Sequence, residues 1–159
     1  MQNTGSRRCV GILVVSLLFF SLPGCKKNPA VNASSPASSE AVISVGEVSS
    51  LTGSEATFGV STHRGIELAV REINAKGGVK GRKFKVYTVD DQSKPDEAAT
   101  AVNRLISQNQ VQAILGEVAS SRSMAMAAIA QDSKIPMISP SSTNPKVTEL
   151  GEFIFRVCF

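Results

Sequence analysis

The chain has no tryptophan, one tyrosine, three cysteines and a single histidine, His63. Each scarcity removes a class of chemistry. With one histidine and no G-x-S-x-G, a serine hydrolase has neither its nucleophile turn nor a placed general base. No H-E-x-x-H and no paired-cysteine spacing occurs, so a zinc ion has no ligand set and no metal or other cofactor is expected. The glycines of KGGVKGRK (76–83) miss the G-x-x-x-x-G-K-[ST] spacing of a phosphate loop and follow a helical stretch. Gly53 and Gly59 do not make G-x-G-x-x-G, so a dinucleotide cradle is missing as well. His63 falls within an amphipathic stretch and is expected to be solvated or near the tether. Asp90 and Asp91 could pair as acid and base, but their place ahead of Pro95 suits a turn or a helix cap better. The chain reads as a binding protein without catalysis.

Long apolar runs are also lacking. The longest, VGILVVSLLFFSL (10–22), holds thirteen residues, short of the roughly 20 that a membrane span needs. With Arg7 and Arg8 ahead of it, it has the form of a secretory signal peptide over 1–24. It ends in Leu22-Pro23-Gly24-Cys25, which looks like a bacterial lipobox despite the unusual Pro23. Cleavage there would leave Cys25 as a lipidated N-terminus and a membrane anchor. Of 17 basic residues two would leave with the signal, so 15 face 13 acidic ones. A net charge of only +2 gives no footprint for nucleic acid. Cys9 leaves too and Cys25 carries lipid, so Cys158 has no partner for an intrachain disulfide.

Residues 25–41, starting CKKNPAVNASSPASSEA, carry almost nothing apolar. Such a segment buries too little surface to offset its ordering entropy, and it reads as a flexible tether. The folded part is expected over 42–159.

There, two periodicities alternate. VISVGEV (42–48) is a β-branched run. From 57 to 76, Ile66, Ala69, Val70 and Ile73 recur at helical steps, stopped by Gly77-Gly78. FKVYTVDD (84–91) predicts a second strand. Pro95, Asp96 and Glu97 open a helix with Ala98, Val102, Leu105 and Ile106 on one face. VQAILGEV (111–118), SRSMAMAAIAQDS (121–133) and IPMIS (135–139) follow as strand, helix and strand, and FIFRV (153–157) as a last extended piece. This order predicts an α/β fold, a doubly wound parallel sheet.

Ligands of such sheets sit beyond the carboxyl ends of the strands, where the strand order switches. Four loops leave in that direction: 49–59, 90–95, 117–123 and 139–145. The last, SPSSTNP, and the third, EVASSRS, are rich in hydroxyls. One such loop alone is an ordinary helix cap through Ser120 or Ser121. Two at neighbouring strand ends favour a shared ligand, held by hydroxyls and by the free amides of a helix start.

VGEVSSLTGSEATFG, then RGIELAVREINAKGG, then DDQSKP and ISPSSTNP resemble, in order, the opening of the branched-chain amino-acid-binding family. These are type I periplasmic solute-binding proteins of ABC importers, and the resemblance covers about 43–157. It implies two lobes closing on a small zwitterion and delivery to permease and ATPase subunits. It also implies that Ser120 holds the ligand carboxylate, that Thr143 touches carboxylate and ammonium, and that the Ser141 carbonyl accepts from the ammonium. Phe58 matches an aromatic position beside the ligand side chain. The family runs to more than twice this length, so 42–159 is expected to be the first lobe, with the second lobe and the segment returning to the first absent. A sensory ligand-binding domain for amino acids or amides is the alternative use of the same fold, and the lipobox speaks against a cytoplasmic regulator.

Overall fold

The computed structural model describes residues 42–157. The signal peptide over 1–24, Cys25, the tether to 41 and Cys158 lie outside the described residues.

The described chain alternates as expected: β1 (Ile43–Ser49), α1 (Ala56–Ala75), β2 (Phe84–Asp90), α2 (Pro95–Ser107), β3 (Ala113–Leu115), α3 (Ser120–Asp132), β4 (Met137–Ser139) and β5 (Ile154–Arg156). A 3₁₀ turn, Pro145–Leu150, connects the last two strands. The five strands form one sheet in the order β2-β1-β3-β4-β5, and every pairing is parallel. No helix of the described residues is long and apolar enough to cross a membrane.

Alternate side chains of β1 reveal the layers. Glu47 and Ser49 bond to α1, through His63 and the Gly59 carbonyl. Gly46 faces α2: a Cβ there would come within 2.9 Å of Leu105. So α1 covers one face of the sheet while α2 and α3 cover the other.

The two faces are filled unequally. Val48, Val102, Leu105, Ile114, Met126, Ala127 and Met137 form a closed core on the α2–α3 side. In α2 the sequence signals hold: Pro95 opens it, Asp96 and Glu97 occupy its first turn, and its apolar stripe is buried. In α1 only Gly59 is buried. The stripe Ile66, Ala69, Val70 and Ile73 instead borders an apolar cavity of about 310 Å³ against Val45, Ala113, Leu115 and Ile138. The period of α1 is therefore right, but its stripe is not packed as an amphipathic helix normally packs.

One strand is much shorter than expected. The strand over 111–118 shrinks to three residues because Gly116, at φ 120°, turns the chain. A Cβ on Gly116 would sit 2.0 Å from the Val48 carbonyl, so only glycine lets the two strands part here. Near the other end, the hydroxyl-rich loop runs into the 3₁₀ turn, whose start is capped by Asn144 accepting from the Lys146 amide at 3.0 Å.

Candidate functional site

The connection after β1 leads to α1 and on to β2, whereas the connection after β3 leads to α3 and β4 on the opposite flank. Adjacent strands whose connections diverge leave a crevice at their carboxyl ends. Four loops surround it, and an unusual share of the buried polar residues lies beneath: Ser49, Ser50, Asp91, Glu117, Arg122, Ser123, Ser139 and Ser142.

Asp90 holds the first loop. Its carboxylate accepts from the amides of Leu51, Thr52 and Gln92 and from the Thr52 hydroxyl. Burial alone would raise its pKa, but the Thr52 hydroxyl and these amides keep it below the ordinary 3.8. Asp90 is a turn former, as its place ahead of Pro95 suggested.

Asp91 is different. It is fully buried, and its Oδ2 has no hydrogen-bond partner. Burial, reinforced by the charge of Glu117, raises its carboxyl above 3.8 against the opposing bonds from Ser50 and Ser93 and the charge of Arg122. Ser50 Oγ lies 2.7 Å from Asp91 Oδ1 and 2.9 Å from Glu117 Oε1. A hydroxyl has one hydrogen, which Ser50 therefore shares between the two carboxylates. Glu117 already accepts from the amides of Ser50 and Ala119 and from Arg122 Nε. Asp91 Oδ1 also accepts from the Ser93 amide at 2.9 Å, and its Oδ2 lies 3.7 Å from Arg122 Nε.

The backbone carbonyl of Glu117 gathers the other two loops. Ser139, Ser123 and Ser142 place their Oγ atoms 2.6, 2.8 and 3.3 Å from it. Ser139 and Ser142 are thus the framework half of the hydroxyl loop, turned inward. The outward half contains the residues singled out for a ligand. Ser141 is half-buried and donates to the Val118 carbonyl at 3.1 Å. Thr143 is exposed, and its carbonyl accepts from Arg156 at 3.1 Å, a bond the sequence did not indicate. Ser120 Oγ accepts from the Asn144 amide at 3.2 Å, which brings the third and fourth loops together.

Ser120 is the first residue of α3, and Ala119 occupies the cap position with no side-chain bond. Neither Ser120 nor Ser121 caps the helix. The cap amide of Ala119 is held by Glu117 Oε2 at 2.7 Å, and the amides of Ser120 and Ser121 after it have no side-chain acceptor, as an anion site requires. Phe58 and Ser141, with Glu55 and Val118, line one cavity of about 300 Å³. Phe58 is 68% exposed, so it has no packing role in the described residues. Three of the loops thus bring Phe58, Ser120, Ser141 and Thr143 to one edge of the sheet; Cys25 lies outside the described residues.

His63 departs from expectation. It is half-buried rather than solvated, because its Nδ1 lies 2.9 Å from the carboxylate of the wholly buried Glu47. The Thr88 hydroxyl donates to the same carboxylate at 2.9 Å. A buried acid on a strand has to find donors, and His63, one helical face away, is the donor within reach. The framework role of Glu117 and Arg122 was also missed. The available signal was local: an acid ending an apolar strand in LGEV, and an arginine in the first turn of a helix that is otherwise small and apolar up to Gln131.

Among proteins of known kind, residues 42–157 match the family model described as periplasmic binding protein. The chain is 39% identical over 108 residues to an amino acid binding protein of Pseudomonas aeruginosa, covering 67% of this chain and 29% of that one. A leucine binding protein, LivK, from Thermotoga maritima superposes with a TM-score of 0.69 at 40% identity, over 74% of this chain and 33% of that one. LivJ from Streptococcus pneumoniae, solved in complex with isoleucine, gives 0.71 at 35% identity, over 72% and 33%. The chain therefore spans about a third of the length of the relatives it matches. A parallel α/β sheet of this strand order, with its polar loops gathered at one edge, and a family match over 42–157 lead to one conclusion: the chain belongs to the periplasmic binding protein family.

Proposed function

We propose that residues 42–157 form the first lobe of the substrate-binding component of an ABC importer for amino acids. The observation that carries the reading is the pairing of Ser120 with the uncapped start of α3. Ser120 Oγ accepts from Asn144, so its own hydrogen is left for a ligand oxygen. The amides of the first turn add directed donors for the same carboxylate. Ser141, through its carbonyl, and Thr143 complete the set for a zwitterion, and Phe58 meets its side chain. Hydroxyls and main-chain groups suit such a ligand because they satisfy both charges without burying an unpaired one. The isoleucine seen in the pneumococcal relative supports an aliphatic amino acid.

In this reading the signal peptide exports the chain and Cys25 carries the lipid that holds it at the membrane, facing the periplasm or the cell exterior. Residues 26–41 span the gap, and the permease and ATPase receive the ligand. Cys25→Ala should abolish incorporation of labelled palmitate.

One lobe leaves a ligand half exposed, where charge-assisted bonds compete with water. Titration of the isotopically labelled chain with L-leucine, followed by amide NMR, should show saturable shifts confined to 55–58, 118–121 and 141–144. The expected affinity is weak, about 1 mM or poorer. Shifts elsewhere, or none at saturating leucine, would overturn the assignment.

A further inference from the structure

The cavity beside Phe58 has an acid in its wall. Glu55 precedes α1 and lines the cavity together with Phe58, Val118 and Ser141. Its side chain is 39% exposed. A free carboxylate in that wall would favour a cationic side chain and disfavour an aliphatic one, because burying it unpaired is costly.

Arg122 prevents this. It lies in the first turn of α3 and is 3% exposed. Nε donates to Glu117 Oε2 at 2.9 Å, and Nη1 reaches the Ser93 carbonyl at 3.4 Å. Nη2 donates to Glu55 Oε2. One planar fork thus ties a buried acid on its inner side to the cavity acid on its outer side, a geometry that a lysine cannot copy. The Glu55 carboxylate is drawn onto α3, within the wall that Glu55 shares with Phe58 and Val118.

We propose that Arg122 is a specificity-determining positioning residue: by holding Glu55 against α3, it keeps the cavity electrically quiet and so selects ligands with an uncharged side chain. The inference rests on the reading that this edge of the sheet binds an amino acid. It goes beyond that reading by naming what decides between side chains.

Two substitutions at Glu55 separate an electrostatic role from a purely structural one. Glu55→Gln removes the charge. Glu55→Asp keeps the charge but is one methylene short of the guanidinium, which releases a carboxylate at the cavity wall while Arg122 stays on Glu117. The readout is the ratio of affinities for L-leucine and L-lysine, measured on the full chain by amide NMR titration. In Glu55→Gln the ratio should stay within about threefold of the parent; in Glu55→Asp it should fall about tenfold in favour of lysine. Arg122→Lys, which retains a cation without the fork, is a second route and should lower the ratio in the same direction. Equal ratios in the Asp and Gln variants, with Arg122→Lys also unchanged, overturn the proposal. A parent that binds leucine but shows this pattern of equality sinks the positioning role alone. A parent that binds neither amino acid sinks the binding reading, and the positioning role falls with it.

Discussion

Ser120 Oγ accepts the amide hydrogen of Asn144 at 3.2 Å. That bond joins the start of α3 to the loop after β4, and it leaves the hydroxyl hydrogen available to a ligand. Ser120→Ala removes both the brace and the donor. A hydrogen bond to a charged group is worth about 1.5–3 kcal/mol, so leucine affinity should fall about tenfold or more. Amide NMR titration checks this, and the Asn144 resonance should move in the variant even before ligand is added.

The neighbouring acids Asp90 and Asp91 should respond to pH with opposite signs. The lowered carboxyl of Asp90 contributes stability above the unfolded value of 3.8, lost as pH falls through its folded value. The raised carboxyl of Asp91 works the other way. As pH rises through 3.8 the unfolded chain ionises while the folded one keeps its proton, so stability declines until the folded value is passed. Thermal unfolding across acid pH should therefore lose one slope in Asp90→Asn and the opposite slope in Asp91→Asn. Equal acid-range slopes in the two variants would overturn these assignments.

The framework and the function were not equally legible in the sequence. Strand–helix alternation was readable because FKVYTVDD and the stripe of α2 each obey one period and are bounded by glycine or proline. The outward hydroxyls Ser120, Ser141 and Thr143 were found through their place at strand ends. What escaped was which hydroxyls turn inward. Ser139 and Ser142 look no different in sequence from Ser141, and only the position of the Glu117 carbonyl assigns them to the framework. His63 was misread for a similar reason. Its environment is decided by Glu47 on β1, 16 residues away, where the sequence offers an acid in an apolar strand but not its partner.

Gly59 looks like a weak point in α1, yet it is the one buried residue of that helix. A Cβ there would lie 2.0 Å from the Ser50 carbonyl, against rigid backbone that cannot move aside cheaply. The same contact region carries the Ser49 hydroxyl bond to the Gly59 carbonyl at 3.0 Å. Gly59→Ala should cost about 1–3 kcal/mol through overpacking, although alanine is the better helix former. Chemical denaturation would read this, with Gly65→Ala as the contrast. A Cβ at Gly65 meets nothing within 4 Å, so that variant should gain stability by up to about 1 kcal/mol.

The unfilled face beneath α1 makes a prediction about the chain in solution. Ile73 is 38% exposed and Leu68 49%, and the cavity between the α1 stripe and the sheet is wholly apolar in its lining residues. At the far edge, Phe155 and Val157 on and after β5 are 49% and 66% exposed. Exposed apolar surface of this kind drives association. The chain should bind an apolar dye such as anilinonaphthalene sulfonate while retaining cooperative near-ultraviolet signals, and it should self-associate as concentration rises. Ile73→Lys, on the exposed stripe of α1, should reduce both dye binding and sedimenting aggregates. A dark dye and a chain that stays monomeric at high concentration would overturn this prediction.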